Sequence, residues 1–256
     1  MKKFENKTAV VAGGGSGIGR ATAIAFSAEG ASVAVIDIHA TNARNTADEI
    51  IAKGGSALAL PADVTKMAEA EQAVNKAVST FGGIHYLCNS AGLQSYGTVV
   101  STDEETWDRT LEVNLKSIFV VSRFCIPEMM KQGGGAVVNI SSVQGLRCQT
   151  NVSAYAASKG AAIALTRSMA LDYAPKNIRI NCICPGSIDT SMLRYGAGKH
   201  GEVEEVLKSW GSHHPIGRIG TAAEIAQTVI FLCSEDAGFI IGQPVVVDGG
   251  LMSQIF

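Results

Sequence analysis

Short apolar runs rich in Val, Ile and Ala recur along this chain, and most neighbouring pairs are separated by a stretch with helical periodicity. That alternation constrains the fold more than any single motif. Consecutive parallel strands need a crossover of a dozen or more residues, usually a helix. Segments 8–12, 31–37, 57–60, 84–88, 136–140, 178–183 and 245–247 read as seven strands. The periodicity predicts helices over about 18–28, 40–53, 68–81, 106–131, 153–173, 202–210 and 221–234. Gly30 suits the position just after a helix, and Thr221 with Glu224 has the form of a capping box. Several strands are apolar throughout, as expected when helices cover both faces of a sheet. The expectation is a single α/β domain over residues 1–256, a doubly wound sheet of about seven parallel strands with helices on both faces. Segment 191–215 stands apart as polar and irregular, punctuated by Gly196, Gly198, Gly201 and Gly211, and reads as a flexible lid.

Composition closes off other classes. The 256 residues are 46% hydrophobic and 17% charged, with 21 basic against 23 acidic side chains, which excludes a disordered chain and the basic excess of a nucleic-acid binder. No apolar run approaches the roughly 20 residues of a membrane span, and the charged start Met1-Lys2-Lys3 has no signal-peptide character. A cytoplasmic protein with no membrane partner is expected. The six cysteines are scattered and read as buried thiols; Cys182 and Cys184 share one face of a strand, and no metal site is expected. His213-His214 is not a metal motif; it reads as a surface pair, with the alternative that both cover a bound ligand from segment 191–215.

The first strand runs into Gly13-Gly14-Gly15-Ser16-Gly17-Ile18-Gly19 at the start of a helix. A glycine-rich strand-to-helix turn lets backbone N–H groups and the helix N-terminus face a pyrophosphate. No Lys-Ser/Thr pair follows, which argues against a P-loop nucleotidase. Asp37 ends the second strand, 18 residues after Gly19, and is followed by Ile38. A carboxylate there accepts hydrogen bonds from both ribose hydroxyls and repels a 2′-phosphate, favouring NAD over NADP. Arg20 and His39, the nearest basic side chains, look poorly placed to rescue a phosphate.

Tyr155 and Lys159 lie one helical turn apart and share a face, and Ser142 sits just past the fifth strand, at the carboxyl edge where doubly wound sheets bind ligands. The set suits carbonyl/alcohol interconversion. A phenol with a pKa of about 10 is a poor base at neutral pH, a nearby ammonium favours its phenolate, and a serine hydroxyl can hold the substrate oxygen.

With these motifs, and with Asp63-Val64, Asn89-Ser90-Ala91-Gly92, Asn114, Pro185-Gly186 and Val247-Asp248-Gly249-Gly250, the chain resembles the short-chain dehydrogenase/reductase family over essentially its whole length. The resemblance implies a Rossmann-type fold. It also implies a catalytic tetrad of Asn114, Ser142, Tyr155 and Lys159, in which Tyr155 is the acid/base, Lys159 also binds the nicotinamide ribose, Ser142 polarises the substrate oxygen and Asn114 supports a water relay. It implies that the cofactor is held by Gly13, Ser16, Gly17, Ile18, Gly19, Asp37, Ile38, Asp63, Val64, Asn89, Ala91, Gly92, Tyr155, Lys159, Pro185, Gly186, Ile188 and Thr190. Two positions depart from the family pattern: Ala12 replaces a threonine and Ser90 an asparagine, which alters local support rather than the tetrad.

By family position Gln94, Gln144, Gln149, Asn151 and Ser187 surround the substrate with Ser142 and Tyr155, and Trp210 covers it from the lid. Their amides and hydroxyls suit a sugar, a polyol or a small secondary alcohol, unless they serve loop backbone instead. Arg147 reads as pointing to solvent or an interface. Small residues on the helix from Tyr155 (Ala156, Ala157, Gly160, Ala161, Ala162, Ala164) allow close helix packing, and the apolar end Leu251 to Phe256 suits burial against a neighbouring subunit. The resemblance implies a dimer interface through that helix and the long one before it, and a homotetramer. The competing expectations are an NADPH-dependent reductase, such as one acting on a 3-oxoacyl carrier protein, and a non-catalytic NAD-sensing protein.

Overall fold

The computed structural model describes residues 2–254. The strands are β1 (Thr8–Ala12), β2 (Ser32–Asp37), β3 (Ser56–Pro61), β4 (Tyr86–Asn89), β5 (Gly135–Ile140), β6 (Ile178–Pro185), β7 (Ile188–Asp189), β8 (Gly220–Thr221) and β9 (Pro244–Val247). Between them run α1 (Gly17–Ala28), α2 (Ala40–Ala52), α3 (Met67–Phe81), α4 (Glu104–Leu111), α5 (Ser117–Lys131), α6 (Ser153–Tyr173), α7 (Ser191–Ala197), α8 (Val203–Ser212) and α9 (Ala222–Cys233). Seven strands form one parallel sheet in the order β3-β2-β1-β4-β5-β6-β9. The order reverses between β1 and β4, which leaves a crevice at their carboxyl ends. β7 and β8 pair separately, with β7 leading into segment 191–215.

Alternate residues of each strand feed two cores, one per sheet face. Val11, Val33 and Val35 pack with Phe4, Phe26, Ile225 and Val229 on the α1/α9 side, whereas Val10, Ala34 and Ile36 pack with Val74, Ile118, Val121 and Met129 on the α3/α5 side. That double coverage is why the strands read as unbroken apolar runs. Phe4, ahead of β1, is 1% exposed and packs on Phe26 and Tyr86, with ring centroids at 5.4 and 4.7 Å.

Three sequence expectations are corrected here. The long helix expected over 106–131 is two helices joined by a π-helical turn at Glu112–Lys116. Segment 191–215 is more regular than expected: the helix expected over 202–210 is present as α8, and the stretch before it, expected to be irregular, forms α7. Gly196, Gly198 and Gly211 lie in α7 or α8 or at the α7 C-terminus, and of the four lid glycines only Gly201 has a left-handed φ, +151°. Glycine is there mainly for close contact: a Cβ on Gly196 would lie 2.5 Å from the Tyr96 hydroxyl oxygen, and one on Gly211 3.2 Å from Arg218 Cα. Cys148 is exposed, unlike the other five thiols. Gly30 (φ +93°) follows α1, and Thr221 closes a capping box with Glu224, both as expected.

Candidate active site

A cleft of about 720 Å³ runs along the carboxyl edge of the sheet, from Asp37 and the glycine turn at one end to Trp210 at the other. Its first wall is built from backbone. Gly13 and Gly14 both donate to the Ile36 carbonyl, at 2.8 and 3.0 Å. A Cβ on Gly13 would stand 2.6 Å from the Ala91 nitrogen, and one on Gly19 2.0 Å from the Gly13 carbonyl oxygen, so both positions are closed to any side chain. Ser16 precedes α1 without capping it by side chain, and Ser16, Gly17 and Ile18 line the cleft. The uncapped first-turn N–H donors and the positive end of the helix therefore face the cleft, which fits a pyrophosphate.

Asp37 is 7% exposed and lines the cleft beside the glycine turn. Its Oδ2 accepts from the Gly15 N–H and its Oδ1 from the His39 N–H, both at 2.9 Å. The carboxylate is thereby aimed, and a carboxylate with one bond on each oxygen keeps lone pairs for ribose hydroxyls. Arg20 is held by Glu49 on α2, whereas His39 is exposed and lines the cleft. Ile38, Asp63, Val64, Ala91, Gly92, Pro185, Gly186, Ile188 and Thr190 also line it.

Two residues expected at the cofactor lie behind the cleft instead. Gly19 does not reach the cleft; it permits α1 to press on the Gly13-Gly14 backbone. Asn89 is 3% exposed, and its amide points into the sheet, donating to Asn139 Oδ1 at 2.8 Å and Ser122 Oγ at 3.2 Å. An amide at a strand end is drawn there because Asn139, one strand over in register, offers the partner that a buried polar group requires.

Beyond the switch point stand Ser142, Tyr155 and Lys159. Tyr155 and Lys159 come from the first two turns of α6, and the Lys159 Nζ lies 5.6 Å from the Tyr155 ring centroid. The ammonium donates to the Ile140 carbonyl at 3.0 Å, which holds it across the mouth of β5. Ser142 Oγ accepts from the Gln144 N–H at 3.1 Å, and Ser142 lines the cleft together with Tyr155. The sequence expectation that Lys159 lowers the phenol's pKa is not met in the protein alone. Burial pushes Tyr155 up to about 12, against a smaller lowering by Ser142, and burial drives Lys159 down to about 8. Desolvation disfavours both charged forms in the same closed space.

Asn114 is fully buried, at the π-helical turn. Its Oδ1 accepts from the Leu93 N–H at 2.7 Å, and its Nδ2 donates to the Leu93 carbonyl at 2.9 Å and to Ser158 Oγ at 3.0 Å. Ser158 in turn donates to the Tyr155 carbonyl at 2.7 Å. The side chain thus clamps the 93 segment onto the helix that carries Tyr155. A π-turn is common where a helix is opened for function.

The substrate end is a different construction. Gln94, Gln144, Gln149, Ser187 and Trp210 all line the cleft. Their amides, however, are partly spent on the loops: Gln144 Oε1 accepts from the Gln149 N–H at 2.9 Å, and Gln94 Nε2 donates to the Ser95 carbonyl at 3.4 Å. Gln149 and Arg147 stand exposed at the mouth. Asn151 is outside the cleft, in a left-handed turn (φ +65°) whose carbonyl accepts from Gly97. Sequence reasoning missed Leu93, Tyr96 and His200. Tyr96 and Trp210 flank His200 edge-on, with centroids at 6.2 and 5.9 Å, and Lys199 lies over the Tyr96 and Tyr195 rings at 5.3 and 4.6 Å. Arg194 ties α7 to β7 and α8, bidentate to Asp189 at 2.7 and 2.9 Å and bonded to Glu204 at 2.7 Å. His214, expected at the surface, is 3% exposed. No spacing signalled these contacts; they arise only when α7 and α8 fold onto the 90–97 segment.

Among the described residues no group of three metal-binding side chains occurs, and no helix is long and apolar enough to cross a membrane. A family model described as enoyl-(acyl carrier protein) reductase matches residues 12–252. Cyclohexanol dehydrogenase from Acinetobacter sp. (strain SE19) is 42% identical over 255 residues, 98% of this chain and 97% of that protein. The ligand-free aldohexose dehydrogenase of Thermoplasma acidophilum has a TM-score of 0.90 at 36% identity, covering 99% of this chain and 96% of that one. A 7α-hydroxysteroid dehydrogenase solved with NADH and 7-oxo glycochenodeoxycholic acid also gives 0.90, at 38% identity over 97% of this chain and 95% of that one.

Proposed function

Since the chain belongs to the short-chain dehydrogenase/reductase family, we propose that it is an NAD-dependent dehydrogenase that interconverts a secondary alcohol and its ketone on a compact, ring-shaped substrate. The observation that carries this reading is the cleft in which a buried Tyr155, with Ser142 on the same lining and Lys159 at its flank, opens into the glycine turn beside Asp37. A nicotinamide dinucleotide bound along that turn would supply the hydride acceptor, and the positive charge of its oxidised ring would favour the phenolate against the burial that raises the Tyr155 pKa.

Ser142 holds the substrate hydroxyl against the Tyr155 oxygen. Tyr155 takes the hydroxyl proton as the carbon loses hydride, and returns it in the reverse direction. Lys159, fixed by Ile140, keeps its ammonium beside the phenol and would hold the nicotinamide ribose. Asn114 keeps α6 and the 93 segment in register around this group.

For the substrate, a wall of Leu93, Tyr96, Val143, Leu193 and Trp210 with glutamines partly committed to loops supports an alicyclic secondary alcohol, with hexoses and polyols as the neighbouring class. The similarity to a cyclohexanol dehydrogenase and to an aldohexose dehydrogenase points the same way. Asp37 supports NAD over NADP. The NADPH-dependent reductase reading keeps one observation in its favour, the exposed His39 at the adenosine end. Exposed Trp107 and Phe119 on α4 and α5, and Leu171, Phe239 and Val246 elsewhere, support a homotetramer.

The test is to assay purified protein with NAD and NADP against cycloalkanols, hexoses, polyols and a 3-oxoacyl thioester. NAD-linked oxidation of a cycloalkanol is expected. Turnover confined to NADPH and the thioester would install the reductase, and cofactor binding without turnover of any member would install the sensor.

A further inference from the structure

His214 follows α8 and lies beneath the lid, with both ring nitrogens engaged. Its Nε2 accepts from the Ser187 N–H at 3.2 Å, and its Nδ1 lies 3.0 Å from the Trp210 carbonyl oxygen. A backbone N–H can only donate and a carbonyl can only accept. The two contacts together therefore select one form of the ring, neutral imidazole with the proton on Nδ1. Ser187 belongs to the Pro185-Gly186-Ser187 turn in the floor of the cleft, and Trp210 belongs to the lid. The approach is close enough to exclude a side chain from the turn: a Cβ on Gly186 would sit 3.0 Å from His214 Nε2. The next backbone contacts continue the tie, for Gly217 N–H donates to the His214 carbonyl at 2.7 Å and Gly220 N–H to the Ser187 carbonyl at 2.8 Å.

We propose that His214 is a positioning residue, which seats the lid on the cleft floor and does so only as the neutral ring. A second proton on the imidazole would place an N–H against the Ser187 N–H, removing one bond and opposing two donors. The titratable and charged groups on the elements packed around it are few. They are Asp248 on the C-terminal turn, Asp189 at the lid root, Glu204, Glu205 and Lys208 on α8, and His213 and Arg218 on its own segment. The Asp248 carboxylate is occupied, accepting from the Gly250 and Met252 N–H groups at 2.9 and 2.6 Å, and Asp189 and Glu204 are held by Arg194. No contact of the ring offers an acceptor for a proton on Nε2.

This inference rests on the reading of the cleft as an alcohol dehydrogenase site for its kinetic arm alone. His214→Gln keeps an acceptor and a donor and is expected to hold kcat and the alcohol KM within about threefold of wild type, whereas His214→Ala, which removes both bonds, is expected to raise KM about tenfold with kcat changed far less. A structural arm needs no substrate. In a Trp107→Phe background the emission of Trp210, the remaining tryptophan, is expected to shift in His214→Ala and to stay in place in His214→Gln. A wild-type KM in His214→Ala, or Trp210 emission that does not respond to that substitution, would overturn the proposal. The emission shift in a protein that oxidises no alcohol would overturn the dehydrogenase reading and leave the pin.

Discussion

The two ends of the cleft are made from different materials. At the glycine-turn end the wall is main chain: Gly13 against Ala91, backed by Gly19 behind the cleft on the Gly13 carbonyl, and Asp37 gripped by two N–H groups. At the substrate end it is side chain against side chain: Arg194 between Asp189 and Glu204, His200 between Tyr96 and Trp210, His214 between the floor and the lid. A wall of main chain tolerates almost no substitution, because a new Cβ must displace backbone. A wall of side chains can yield at their flexible ends. The first end is suited to one unvarying ligand and the second to changing specificity.

Substitutions can break or sharpen this contrast. The largest effect is expected where the two ends meet. Tyr155→Phe should lower kcat by about a thousandfold or more, as loss of a general acid/base does, while NADH binding followed by fluorescence is retained. Full turnover would remove Tyr155 from its role. The pH profile reports on the same group. Only the deprotonated phenol is a base, so oxidation should accelerate with pH, about tenfold per unit below the phenol's pKa in the complex. Lys159→Met should move that limb to higher pH; a flat profile in both proteins would separate proton transfer from the rate.

Next come the two glycine substitutions, one from each end. Gly19→Ala forces a methyl to within 2.0 Å of the Gly13 carbonyl oxygen, a backbone atom. It should lower Tm by about 5 °C or more and weaken NADH binding. Gly196→Ala meets the tip of the Tyr96 side chain at 2.5 Å. That ring can swing away, so Tm should barely move and the alcohol KM should rise a few-fold. Equal damage from both would erase the distinction between the walls. Between them in size, Asp37→Ser should raise the NADP-over-NAD ratio of kcat/KM by about tenfold; an unchanged ratio would separate the carboxylate from cofactor choice.

What was legible beforehand follows the same division. The strand pattern exposed the sheet because both of its faces are buried, so each strand's apolar run is long and its ends are marked by glycine. The glycine turn, Asp37 and the Tyr155/Lys159 pair were legible because their partners lie within one turn or one βα unit. The lid was not. Its glycines look like flexibility in a sequence, yet Gly196 is a contact with Tyr96, one hundred residues away along the chain. His214 looked like half of a surface pair, because nothing local announces that Ser187 will present an N–H to it. Asn89 was misplaced for the same reason: its motif marks the strand end but not the direction of its amide, which Asn139 decides.

A parallel sheet sends every strand's carboxyl end to one side, so the molecule has a working edge and a spare one. The turns that enter the strands from the spare edge pass through Gly54, Gly82 and Gly133, and a Cβ built at any of the three would meet no atom within 4 Å. Those turns are natural ports. A peptide tag, a fluorophore attachment point or a linker to a second enzyme inserted there lies a full strand length from the chemistry, whereas the same insertion at the opposite edge would fall into the cleft.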